Sequence, residues 1–363
     1  MTITINNKNK KTNVPNLRFP EFEGEWEYFL INDVCSEFKS GKNIKADFVF
    51  ECGEYPVYGG NGLRGYTSSY NHEGSYVLIG RQGALCGNVR SVYGKTYITE
   101  HAIAVAGNER SNTNFLHYLF LKMNLGQYSD QSAQPGLAVN KLLKLKVALP
   151  IISEQTKIAK FLSLLDERIA TQNKIIDKLQ TLIKGIRHNI FKDIQGEVLA
   201  LGNIADVYQP QTISSSDLTT DGYWVYGANG IIGKYKEYNH ETEQICITCR
   251  GNTCGTVNYT QPKVWITGNS MVINTDKHQQ QVNKRYLFHY LSSYNFNSIV
   301  SGSGQPQIVR TPLEKIKVTL PSIEKQVQIA HGIDLILTKI ETECTVLGFL
   351  ESQKQYLLRQ MFI

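Results

Sequence analysis

A chain of 363 residues, 41% hydrophobic and 19% charged, is long enough to bury two or three cores and is neither disordered nor fibrous. No apolar run reaches the ~18–20 residues of a membrane span, and the polar opening MTITINNKNKKTN has no apolar stretch to act as a secretory signal. Seven scattered cysteines argue against a disulfide framework and for a reducing cytoplasm, while a net charge of +6 is too mild to announce a polyanion partner by itself.

In chain order the sequence divides into an N-terminal arm over 1–20, a β-rich head over 21–152, a helix over 153–194, a second head over 195–321 and a second helix over 322–363. An internal repeat dictates this division. Residues 55–105 align with residues 223–273 at a constant offset of 168, with 19 identities in 51 positions. Tyr58, Gly59, Asn61, Gly62 and Gly65 recur as Tyr226, Gly227, Asn229, Gly230 and Gly233, and the run Tyr70-Asn71-His72-Glu73 recurs as Tyr238-Asn239-His240-Glu241. At an offset of 171, Gln134-Pro135 meets Gln305-Pro306, Leu149-Pro150 meets Leu320-Pro321 and Gln155 meets Gln326.

Within each copy, short runs rich in β-branched and aromatic residues, punctuated by Gly and Asn-Gly turns, predict strands. Residues 114–125 and 283–293 predict short helices. The shared Asn61 and Asn229 are read as turn residues.

The tails carry a different period. Ile158, Leu162, Leu165, Ile169, Gln172, Ile176, Leu179, Ile183, Ile186 and Ile190 are spaced four and three apart. Ile329, Ile333, Ile336, Ile340, Glu343, Leu347, Leu350, Lys354, Leu357 and Met361 repeat that spacing. Such a seam predicts two long coiled-coil helices packed on each other. Ser153-Glu154 and Ser322, after Pro150 and Pro321, are the expected caps. The fold expected is α+β: two repeated, mostly-β heads with small helices, separated by two long antiparallel coiled-coil helices, with a pseudo-two-fold relating the copies.

Charge sharpens the reading once it is placed. Residues 55–152 hold nine basic and four acidic side chains and residues 223–321 ten and five, so each stretch is +5, the sign a phosphate-facing surface needs. Arg pairs with guanine and Asn or Gln with adenine, so polar side chains in the glycine-rich loops are the candidate DNA contacts. These are Arg64, Arg81, Gln82, Asn88, His101 and Gln134 in the first copy, and Lys234, Arg250, Asn252, Asn269, Gln305 and Gln307 in the second. Positions that differ between copies, such as Arg64/Ile232, Gln82/Arg250 and His101/Asn269, are favoured for reading different sequences.

Catalytic signatures are missing from the sequence. Gly94-Lys95-Thr96 ends like a phosphate loop, but Val89 stands where its first glycine belongs. Cys246-x-x-Cys249 with Cys254 lacks a second pair, and strand residues three apart point to opposite faces, so these read as buried thiols. His72 and His240 read as structural. No Asn-Pro-Pro-aromatic amino-methyltransferase signature occurs.

The opening Pro15-Asn16-Leu17-Arg18-Phe19-Pro20-Glu21-Phe22 before Trp26, the run Leu149-Pro150-Ile151-Ile152-Ser153-Glu154-Gln155, and the repeated head-plus-helix resemble the specificity subunit of a type I restriction–modification enzyme. In the second copy the run departs from the pattern, with Lys325 standing between Glu324 and Gln326. The resemblance implies two target-recognition domains, each reading one half of an asymmetric bipartite site in double-stranded DNA. It also implies helices that space the heads and dock two methylation subunits. It places S-adenosylmethionine, ATP and magnesium on partner subunits, restriction subunits included, with no cofactor, metal or membrane role for this chain. A structural coiled-coil adaptor without DNA specificity is the alternative; it does not require two basic heads with divergent loops.

Overall fold

Short β-branched and aromatic runs in the first copy build a six-stranded sheet whose central strands are buried on both faces. Its strands are β1 (Cys35–Ser40), β2 (Tyr55–Gly59), β3 (Gly62–Thr67), β4 (His72–Gly80), β5 (Val89–Ile98) and β6 (Ala102–Gly107), in the spatial order β1-β6-β4-β5-β2-β3. All neighbours are antiparallel except β2 and β5, where Val57 and Tyr58 pair in parallel with Tyr97 and Ile98. The computed structural model describes residues 4–5, 13–130, 135–228, 230–302 and 304–363.

The second copy uses β7 (Asp206–Tyr208), β8 (Tyr223–Gly227), β9 (Gly230–Tyr235), β10 (Ile245–Thr248), β11 (Val257–Tyr259), β12 (Trp265–Ile266) and β13 (Ser270–Asn274). Here the sheet is two pieces, β7-β13-β10-β11 and β9-β8-β12. The cause is one residue. Gly94, in the middle of β5, becomes Pro262 between β11 and β12. Proline has no N–H to give to a ladder and stops the strand, and the next residue, Lys263, has φ 54°. Gly94-Lys95-Thr96 thus lies mid-strand, not at the loop-to-helix junction a phosphate loop needs.

Helix α1 (Thr113–Met123) covers the six-stranded sheet, and α3 (Lys284–Ser293) covers the four-stranded sheet of the second copy. Asn112 and Asn283 cap them by accepting hydrogen bonds from main-chain N–H groups of Asn114 and Phe115, and of Tyr286. The long helices are α2 (Ile152–Asp193) and α4 (Ile323–Gln360). Ser322 caps α4, accepting from the N–H of Lys325 at 3.4 Å. Ser153 and Glu154 do not cap α2, because that helix begins at Ile152 and both lie inside its first turn. Of the seam, Ile158, Leu162, Ile176, Ile183, Ile329, Ile333 and Leu350 are buried, while Leu165, Ile169, Leu179, Ile336, Ile340 and Leu347 are half-buried. Gln172 is buried, and Glu343 pairs with Lys339 one turn away.

The chain forms two units, residues 1–173 with 346–363, and residues 174–345. Each takes one head, the start of one long helix and the end of the other. In the first unit the helix segments run in opposite directions: Lys354 pairs with Asp166 at 2.5 Å, and Ile169 lines a cleft with Gly348 and Glu351. Its core gathers Phe19, Trp26, Ile79, Phe115, Leu162, Met361 and Phe362. The second core gathers Ile183, Ile247, Ile273, Tyr286, Leu313, Ile329 and Ile333.

Both heads grip the start of the following helix in the same way. The Gln155 side chain accepts from the N–H of Asn112 (2.8 Å) and donates to the carbonyls of Arg110 and Pro150 (2.8 Å each). Gln326 accepts from the N–H of Asn283 (2.9 Å) and donates to the carbonyls of Gln281 and Pro321 (3.0 Å each). Beside Gln155, the buried Glu154 carboxylate receives the Arg18 guanidinium through two bonds of 2.8 and 2.7 Å. Arg18 also donates to the carbonyls of Gly24 and Glu23. The two motifs that carried the resemblance are thus one contact. The arm carrying Arg18 has no second copy, which accounts for Lys325 where the first copy has Glu154.

Candidate nucleic-acid interface

In each head, loops at the ends of the central strands are stitched together by main-chain hydrogen bonds. In the first head, the Arg81 N–H donates to the His101 carbonyl (2.9 Å), the Leu137 N–H to the Arg81 carbonyl (2.9 Å) and the Gly83 N–H to the Pro135 carbonyl (3.0 Å). In the second, the Cys249 N–H donates to the Asn269 carbonyl (3.1 Å), the Ile308 N–H to the Cys249 carbonyl (3.0 Å) and the Gly251 N–H to the Pro306 carbonyl (2.9 Å). Gly83 and Gly251 both have φ of 82°, the left-handed region where glycine is unstrained. One scaffold thus presents two different sets of side chains.

The first head presents Arg81, Gln82 and His101 together; the His101 ring nitrogen Nδ1 lies 3.3 Å from the Gln82 amide oxygen. Arg64 leans on Gly59 at the adjoining hairpin turn. Asn61 occupies that turn, between the paired Gly59 and Gly62. Asn88 is half-buried at the end of its loop. Gln134 and Asn229 lie outside the described residues.

In the second head Arg250 and Gln307 pair through their main chains. With Gln209 and Arg310 they line a cleft of about 320 Å³. Asn252, Asn269 and Gln305 are exposed on the same loops. Lys234 is engaged elsewhere, with its ammonium 4.8 Å from the Trp224 ring centroid.

Among the described residues, Arg64, Arg81, Arg90 and Arg250 have no carboxylate within ion-pair distance. Unneutralised guanidiniums over polar loops suit an anionic ligand with hydrogen-bonding edges. Sequence reasoning missed Arg90, whose guanidinium carbon lies 3.1 Å from where a Gly62 side chain would begin, and also Gln209 and Arg310. The signal was available for Arg90, which faces Asn258 in the repeat and differs as Arg64 and Ile232 do.

His72, His240, Cys246 and Cys249 serve the scaffold. The Asn239 side-chain oxygen already accepts from the Ile266 N–H (2.8 Å), so His240 donates to it through Nδ1 (2.6 Å) and accepts the Tyr208 hydroxyl at Nε2 (2.8 Å). His72 places its ring nitrogens against the Asn71 side-chain oxygen (2.6 Å) and Glu37 (3.0 Å). Cys246 and Cys249 pack into separate clusters on opposite sides of the sheet, and burial raises both thiol pKa values.

Burial holds His117, His240 and His289 down to about 4. For His289, a donating Arg187 guanidinium at Nδ1 (2.9 Å) acts in the same direction. A histidine lowered on folding binds fewer protons than in the unfolded chain. Its stabilising contribution is therefore present above about pH 6.5 and is lost as pH falls towards 4. Urea midpoints should drop between pH 7 and 5, and His240→Gln should flatten that slope; a flat profile in the parent chain would contradict the neutral buried rings.

Comparison with known proteins places these features. The family model described as the type I restriction modification DNA specificity domain matches twice, over residues 23–181 and 195–348. The chain is 42% identical over 154 residues to the type I restriction enzyme EcoprrI specificity subunit of Escherichia coli, a match spanning 41% of this chain and only 38% of that protein. A Haemophilus influenzae protein named as a type I restriction enzyme specificity subunit is 24% identical over 363 residues, covering 92% of this chain and 93% of that one. The crystal structure of the S subunit of a type I restriction–modification system from M. genitalium superposes with a TM-score of 0.71 at 18% identity, over 96% of this chain and 99% of that chain, a likeness of fold.

Proposed function

Because the chain belongs to the type I restriction modification DNA specificity family, with one matched domain in each half, we propose that it reads DNA sequence for a type I restriction–modification complex, one head per half-site. One observation carries this reading: two heads share a main-chain loop scaffold but present different polar and cationic side chains, Arg81, Gln82 and His101 against Arg250, Gln307 and Arg310. Equal scaffolds with unequal side chains suit a bipartite, asymmetric site in double-stranded DNA.

The long helices serve as the docking face for two methylation subunits. In support, Leu164, Ile175 and Leu182 of α2 and Leu335, Phe349 and Tyr356 of α4 are exposed apolar residues, more than scattered surface leucines require. Methyl transfer with S-adenosylmethionine, and ATP- and magnesium-dependent cleavage by restriction subunits, belong to the partners in this reading. This chain contributes specificity and holds no cofactor of its own.

The test is to co-express the chain with its methylation subunits and map methylated adenines. The expected pattern is a two-part, non-palindromic motif that disappears without this chain; the same methylation in its absence would sink the reading. Arg81→Ala should weaken site binding by about 1–3 kcal/mol and relax one position of one half, and Arg250→Ala should do so in the other half. Both variants keeping the parent motif and affinity would show that these loops do not touch bases.

A further inference from the structure

The second residue of β3 and of β9, just past the hairpin turn of each head, is aliphatic in both. Leu63 is 52% exposed, and its equivalent Ile231 is 47% exposed. The next position does not keep its character, being Arg64 in one head and Ile232 in the other. One exposed leucine means little, but these two sit where each turn is pressed against the polar loops just described.

The turn cannot fold away from those loops. A side chain on Gly60 would begin 2.7 Å from the His101 carbonyl oxygen and 3.4 Å from the Gly80 Cα, so in the first head the turn lies directly against the loops. In the second head, the Thr248 hydroxyl bonds the carbonyl of Ala228, the equivalent of Gly60. Gly62 and Gly230 hold φ of 105° and 98° behind the aliphatic residue. Leu63 is therefore a fixed projection, with the unpaired guanidinium of Arg64 attached to the next residue and that of Arg90 packed over Gly62.

A polyanion whose interior is apolar fits this arrangement: phosphates for the guanidiniums and base faces for the leucine. We infer that Leu63 and Ile231 are wedges that each enter a base step of their half-site and partly unstack it, while neighbouring residues do the reading. Two halves of different sequence offer different edges but the same kind of base face. A residue shared by both heads is suited to the shared face, not to a particular edge. The inference rests on the DNA-reading role proposed above and adds a positioning residue to each head.

The experiment uses the chain complexed with its methylation subunits, on duplexes carrying the mapped site with 2-aminopurine placed in turn at each step other than the methylated adenines. One step in each half should brighten on binding. Leu63→Ser should abolish the brightening in one half and keep it in the other, with Ile231→Ser doing the reverse. Losing one buried aliphatic side chain should weaken binding roughly tenfold to a hundredfold, with the methylated motif unchanged. Both positions are exposed, so the variants should keep the parent melting temperature. Quenched 2-aminopurine at every tested step, or full brightening in Leu63→Ser, would overturn the wedge while leaving the DNA role standing. A Leu63→Ser complex that changes its motif would overturn it too, making Leu63 a base-reading residue. A parent complex with no site-specific binding would overturn the DNA role and the wedge together.

Discussion

Replacing Arg18 with Ala should destabilise the first unit by about 3–5 kcal/mol, because it strands the Glu154 carboxylate in the core without its cation. The side chains are 8% and 0% exposed, and the guanidinium makes two bonds to Glu154 and two more to main-chain carbonyls. For a unit of this size the loss amounts to roughly 6–20 °C in the transition of that unit. The double variant Arg18→Met, Glu154→Leu should regain much of the loss, since an apolar pair need not be desolvated as ions. Differential scanning calorimetry of the parent, single and double variants settles the matter; a single variant that melts with the parent would mean the pair contributes nothing.

The second large effect concerns the seam. Leu162 and Ile333 are 0% and 1% exposed, in the first and second cores respectively. Aspartate at either position removes a packed aliphatic group and buries an unpaired charge, at a combined cost above about 4–5 kcal/mol. Hydrogen exchange should then show protection lost in residues 13–173 and 346–363 for Leu162→Asp and in residues 174–345 for Ile333→Asp. Protection lost evenly through the chain from either substitution would mean the two cores do not correspond to separate units.

How legible this was in the sequence depended on the range of the signal. The repeat, the turn at Asn61 and the seam are local or periodic, so residue spacing alone exposes them. The start of α2 was misplaced because Ser153 has capping chemistry but the helix is already under way at Ile152, fastened by Gln155 to the Pro150 carbonyl. The Arg18–Glu154 pair joins residues 136 apart, and no short-range pattern reports such a contact. The split of the second sheet was foreshadowed by Pro262, although its effect required knowing that Gly94 lies mid-strand. In the candidate interface the loops were legible from glycines and copy differences, which also offered Arg90, but Arg310 is carried there by the fold.

The two glutamine clasps have a consequence for how such a protein can change. Gln155 and Gln326 hold their heads entirely through main-chain groups: the N–H of Asn112 or Asn283, and the carbonyls of Arg110 and Pro150 or Gln281 and Pro321. A clasp that touches only peptide groups is indifferent to the side chains the head displays. Recombination between related genes could therefore replace a whole head at these junctions, altering every exposed residue on it, while the clasp to the following helix closes as before. New combinations can arise by exchange of intact modules that keep the side chains meeting the helices, as Tyr118 meets Asp166 and Arg285 and His289 meet Asp334.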